Sequence, residues 1–132
     1  MAYSGTFTSQ WSSGGTNKSC EITKSSTGRV QCEESVADDE TDFEITLPTI
    51  DVSACVAIFI LSTQDVLLET NADDATGGNT LTLKANEPYI WWTAAPFVNM
   101  ITLDIVTNVF ITNASGAAAT VTMEFILDTT PA

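Results

Sequence analysis

The chain has 132 residues, 44% of them apolar and 16% charged, with seventeen carboxylates against four basic side chains and no histidine. The net charge of −13 leaves no basic patch for a phosphate backbone or an anionic membrane surface, so neither nucleic acid nor membrane is expected as a partner. The length suits one domain, residues 1–132, with a core large enough to need no disulfide or metal staple.

In chain order, Tyr3 to Trp11 alternates, with Tyr3, Phe7 and Trp11 on one face and Ser4, Thr6, Thr8 and Gln10 on the other. That period of two predicts a half-buried strand. A flexible turn follows over Ser12-Ser13-Gly14-Gly15-Thr16-Asn17. Lys18 to Lys24 and Gly28 to Val36 are predicted as the next two strands, paired as a hairpin through Ser25-Ser26-Thr27-Gly28. Their inward set would be Cys20, Ile22, Val30, Cys32 and Val36. Cys20 and Cys32 then share a parity and could be neighbours across that hairpin. The N-terminus lacks the basic and apolar regions of a signal peptide, which predicts synthesis in a reducing cytoplasm and argues against a disulfide.

The carboxylates cluster at Glu33-Glu34 and over Asp38-Asp39-Glu40-Thr41-Asp42. Such a cluster suggests calcium, a hard cation that takes several oxygen ligands. The spacing lacks the central glycine and distal glutamate of an EF-hand, so a solvated loop leading into a strand over Phe43 to Leu47 is the plainer reading. Asp73-Asp74 before Gly77-Gly78 reads as a hairpin turn. No metal or cofactor is assigned.

Ala54 to Leu61 is the most apolar run, too short for the roughly 18 residues that span a bilayer and rich in β-branched side chains. It predicts a central buried strand. Val66 to Asn71 returns, Asn71 to Asn79 connects, Leu81 and Leu83 open the next strand, and Met100 to Val106 adds an apolar segment. Between these, Tyr89-Ile90-Trp91-Trp92 is bulky on both faces and bracketed by Pro88 and Pro96, which marks a strand covered on both sides. Val109 to Thr112 and Val121 to Leu127 alternate well and are predicted to form a long hairpin closed by Asn113-Ala114-Ser115-Gly116. About nine or ten short strands with turn signals every 8–12 residues or so predict an all-β, two-sheet β-sandwich, jelly-roll or immunoglobulin-like.

Without histidine there is no Ser-His-Asp or Cys-His nucleophile and no imidazole for zinc. No Cys-x-x-Cys pair and no glycine-rich phosphate loop is present. Paired carboxylates could hydrolyse a glycoside only inside a cleft that the sequence does not specify. No enzyme is expected.

The segment Val106 to Gly116, followed by Ala119-Thr120-Val121 and ending Leu127-Asp128-Thr129-Thr130-Pro131, resembles the C-terminal part of small structural proteins of tailed bacteriophages, in which an aromatic strand like Pro88 to Thr93 precedes it. The resemblance covers the last third of the chain. It implies a virion component on the capsid surface, made in the host cytoplasm, that decorates or cements a phage head. Its partners would be the major capsid protein or other virion subunits and copies of itself, a trimer being favoured. The expected contact residues are Tyr89, Trp91, Trp92 and Phe97. A carbohydrate- or receptor-binding module using the same aromatics, and a tail or neck subunit, are the alternatives.

Overall fold

Ten strands carry nearly all the regular structure of the computed structural model, which describes residues 2–72 and 78–129. β1 (Tyr3–Ser13) and β2 (Thr16–Ser26) pair with each other alone. The next eight are β3 (Gly28–Val36), β4 (Glu40–Asp51), β5 (Cys55–Ser62), β6 (Val66–Thr70), β7 (Thr80–Leu83), β8 (Tyr89–Trp92), β9 (Ile105–Asn113) and β10 (Ala119–Leu127). They divide between two four-stranded sheets ordered β3-β10-β5-β8 and β4-β9-β6-β7. The pairings are antiparallel and nested: β3 with β10, β4 with β9, β5 with β8, β6 with β7. This is one long antiparallel ribbon folded over at β6–β7 and rolled into two sheets, which is a jelly roll and decides between the two sandwich topologies. No helix among the described residues is long and apolar enough to cross a membrane.

The core lies between the sheets and follows the alternation of each strand. In β10, Ala119, Val121, Met123, Phe125 and Leu127 all face inward and are buried. They meet Val109 and Ile111 from β9, Leu68 from β6 and Ile58 and Ile60 from β5. β4 is an edge strand, and its ladder with β9 slips between Thr46 and Ile50, where Pro48 has no amide to donate. Positive φ falls on Asp39, Asp42, Asn71 and Asn86, residue types that tolerate it, and on Ala94.

Two predicted hairpins are corrected. β2 does not pair with β3. Gly14 and Gly15 both adopt positive φ (55° and 84°), which makes the tight two-residue turn that joins β1 to β2, with Ser13 opposite Thr16. That local pairing captures β2, so Cys20 faces Ser9 while Cys32 faces Met123, and all three cysteines are free thiols.

Nor do β9 and β10 form a hairpin. They lie in opposite sheets, and Asn113 to Gly116 belongs to an arch between them. Both strands alternate because each presents one face to the core, and alternation defines a face rather than a partner.

The arch is held by one side chain. Asn113 is fully buried, and its Nδ2 donates to the carbonyls of Val36, Ala37 and Ala117 at 3.1, 3.2 and 2.8 Å. Its Oδ1 accepts from the backbone N and Oγ of Ser115 at 3.1 and 2.7 Å. The β3–β4 arch at the same end is thereby tied to the β9–β10 arch, and Gly116 N adds a bond to Asp38 Oδ1 at 2.9 Å. Asn113→Ala leaves several of these groups unpaired in the interior and is expected to lower stability by about 3 kcal/mol in urea unfolding. Asn113→Asp, which keeps the size but turns a donor towards three carbonyls into an acceptor, is expected to be at least as damaging in the same measurement.

Candidate functional site

Because side chains alternate, the run Tyr89-Ile90-Trp91-Trp92 splits between two environments. Tyr89 and Trp91 turn inward and pack against the core. Ile90 and Trp92 lie on the outer face of the β3-β10-β5-β8 sheet, of which β8 is an edge. The expected cover on both sides is present, and the chain itself supplies the second layer: the β1–β2 hairpin lies across that outer face as an arm.

Three contacts step across the sheet. The Arg29 guanidinium of β3 sits 4.8 Å from the centroid of the Tyr3 ring. Gly5 lies over Ile126 of β10, where a Cβ added to the glycine would sit 3.6 Å from Ile126 Cγ1. Phe7 then stacks on Trp92 of β8 with ring centroids 5.7 Å apart, and Trp92 meets Phe97 edge-on at 5.3 Å. Ile126 is 2% exposed although it points away from the core between the sheets, because the arm covers it.

Between arm and sheet runs an apolar cleft of about 550 Å³, lined by Phe7, Ile22, Phe59, Ile90, Trp92 and Ile126. Lys24 and Glu124 add charge to its walls. The arm therefore rests on a few large side chains rather than on a continuously packed layer.

The segment after β8 is pinned at both ends. Thr93 donates from its backbone N and from Oγ1 to Val56 O, at 2.9 and 3.0 Å. The Tyr89 hydroxyl donates to Asn99 Oδ1 and accepts from Met100 N at 2.9 Å, and Asn99 Oδ1 also accepts from Ile101 N at 3.1 Å. Burial pushes the Tyr89 phenol up, against the opposing pull of the Met100 and Ile101 amides, so it stays a neutral donor through the physiological range. With Ile101 buried as an anchor, the loop displays Phe97, Val98 and Met100, which are 47%, 83% and 54% exposed.

Of the four contact residues named from sequence, only Phe97 belongs to this open surface. Trp92 is held between Phe7 and Phe97, and Tyr89 and Trp91 support the site from inside. Sequence reasoning missed Val98, Met100 and the exposure of Trp11, which is 69%. A signal for Trp11 was present. The chain from Ser12 to Ser19 offers no apolar side chain, so nothing there could bury the end of the arm.

Among the described residues no group of three or more Cys, Asp or Glu side chains is placed to hold a metal ion. In the acidic arch, Asp38 caps Gly116 N, and Asp42 Oδ1 accepts from Thr112 Oγ1 at 3.4 Å. Asp73 and Asp74 lie outside the described residues. Burial, helped by the Asp51 charge, pushes the Cys55 thiol up to about 11, and burial with Glu34 nearby raises Cys32. Cys20 stands exposed on the arm.

Two outcomes follow. A thiol reagent at pH 8 is expected to modify Cys20 rapidly, Cys32 slowly and Cys55 only on unfolding, read as stoichiometry by mass spectrometry before and after denaturant. Trp92→Ala removes both ring contacts and is expected to cost about 2 kcal/mol while accelerating amide exchange through β1 and β2 ahead of the sandwich strands. Comparisons with protein-family models, with curated proteins and with solved structures find no match to this chain.

Proposed function

We propose that this chain is a non-enzymatic structural subunit of a virion, which decorates or cements a phage head through protein–protein contacts at its β8 rim. The observation that carries this reading is the loop after β8, where Phe97, Val98 and Met100 stand exposed on a backbone fixed by Tyr89 and Asn99. Large apolar side chains held out on a rigid support are what an interface core requires, since the cost of ordering them is already met.

Two further features support it. Residues 106–116 and 119–121, which carry the resemblance to phage structural proteins, form β9, the Asn113 arch and the start of β10. The jelly-roll order also recurs in capsid and lectin domains, although a fold by itself assigns no function. The partner on this reading is the major capsid protein, with the negative charge of the rest of the surface limiting unspecific association.

The test is co-sedimentation of the recombinant chain with purified heads and, separately, tails of the phage whose genome encodes it. Saturable binding to heads is expected, with Val98→Ser/Met100→Ser weakening it roughly tenfold and leaving thermal unfolding unchanged. Binding to tails alone would move the protein to a tail or neck position. No binding to either, together with glycan binding lost on Phe97→Ala, would replace the reading by a carbohydrate-binding module.

A further inference from the structure

The arm is longer than the sheet it crosses. Its underside carries the register pairs Tyr3/Ser26, Gly5/Lys24 and Phe7/Ile22, and by Phe7 it has already reached β8, the last strand. The same face continues through Ser9/Cys20 and Trp11/Lys18, with both Cys20 and Trp11 exposed. At about 3.3 Å per residue, Trp11 lies roughly 13 Å beyond Phe7, past the edge of its own sandwich. An isolated two-stranded ribbon is marginally stable in water, so an overhang that ends in tryptophan is incomplete as it stands.

The arm also differs in charge from the body. Residues 3–26 hold Lys18 and Lys24 against Glu21 alone, whereas Arg29 and Lys84 face the other sixteen of the seventeen carboxylates. The opposite edge of the same sheet is β3, whose outer face carries Arg29 beneath Tyr3 of its own arm and then presents Gln31 and Glu33 to solvent, with Glu34 and Asp38 following. β8 runs opposite in direction to β3, because each of the three ladders between them is antiparallel. A second copy placed with its β3 beside β8 and its strands in the same sense therefore preserves the antiparallel order, and brings Gln31 and Glu33 of its β3 within reach of the overhang.

We propose that the distal half of the arm, Ser9 to Cys20, is a clasp for a second copy of this chain. Trp11 and Lys18 seat on the outer face of the neighbour's β3, with Lys18 paired to Glu33 and Trp11 covered by the stem of Gln31. The contact joins two different surfaces, so copies related by a rotation about a common axis close into a ring of fixed size. Copies of the chain alone are enough to show it, so failure to bind phage heads leaves this inference standing, and its failure leaves head binding by Val98 and Met100 standing.

Light scattering of the purified full-length chain from micromolar to millimolar concentration is the test. A mass rising to a fixed multiple of the monomer is expected. Trp11→Ser and Lys18→Glu should each weaken association roughly tenfold or more while thermal unfolding at the monomer limit is unchanged. Glu33→Lys should weaken it alone and restore it in combination with Lys18→Glu. Cys20 should lose reactivity towards a thiol reagent as the larger species forms. A chain that stays monomeric throughout overturns the proposal. An oligomer indifferent to Trp11→Ser and to the Lys18/Glu33 exchange overturns it equally, and points to the Phe97–Met100 rim as the self-contact.

Discussion

Wherever this chain leaves one sheet for the other, its backbone amides and carbonyls lose their ladder partners, and the fold depends on supplying new ones. Every connection of the sandwich except β6–β7 makes such a crossing. Asparagine side chains carry much of the burden, since a carboxamide presents both a donor and an acceptor in the same plane as a peptide group. Asn113 serves the arches at one end. Asn79 accepts from the amides of Thr102 and Leu103 at 3.0 and 3.3 Å, and Asn71 bonds Ile105 O and Thr107 N. Asn79 thereby pins the segment between β8 and β9, and Asn71 the start of β9, to the β6–β7 region. Buried side-chain nitrogen and oxygen atoms without a partner are absent among the described residues.

This arrangement explains what could be read from the residues and what could not. Alternation in Val121 to Leu127 reported correctly which of its residues face the core, and continuous apolarity in Ala54 to Leu61 a strand in the interior of a sheet. Neither could report pairing. Val109-Phe110-Ile111 and Val121-Thr122-Met123 look like the arms of a hairpin because both point one face inward. They do so from opposite walls, and the residue that distinguishes the cases is Asn113, which resembles an ordinary turn asparagine until its burial is known. Ser25 to Gly28 misled in the same way. The turn chemistry of Gly14-Gly15 was the stronger signal, and it claimed β2 for β1.

The aromatic strand was legible in its chemistry and less so in the placement of its side chains. Tyr89-Ile90-Trp91-Trp92 announced a strand covered twice, and the second cover proved to be the arm, through Phe7. Once Trp92 is committed to holding the arm, the exposed role passes to the residues behind it, Phe97, Val98 and Met100, whose display depends on a phenol and a carboxamide some ten residues apart in sequence. Such a hydrogen-bonded brace has no periodicity and leaves no pattern to read.

The nested order of strands has a bearing on how the molecule is made. β10, the last of the ten strands in chain order, is inserted between β3 and β5 in the middle of its sheet. Until Leu127 has emerged, β3 has no ladder partner and β5 has an open edge facing the gap, both able to pair with another nascent chain. The first sheet thus closes only once β10 has been made, and outward from the β6–β7 hairpin the ladders join segments ever further apart in sequence. Pairing so distant in sequence is slow to form, whereas the β1–β2 ladder, joined by a two-residue turn, can close as soon as Ser26 has been made.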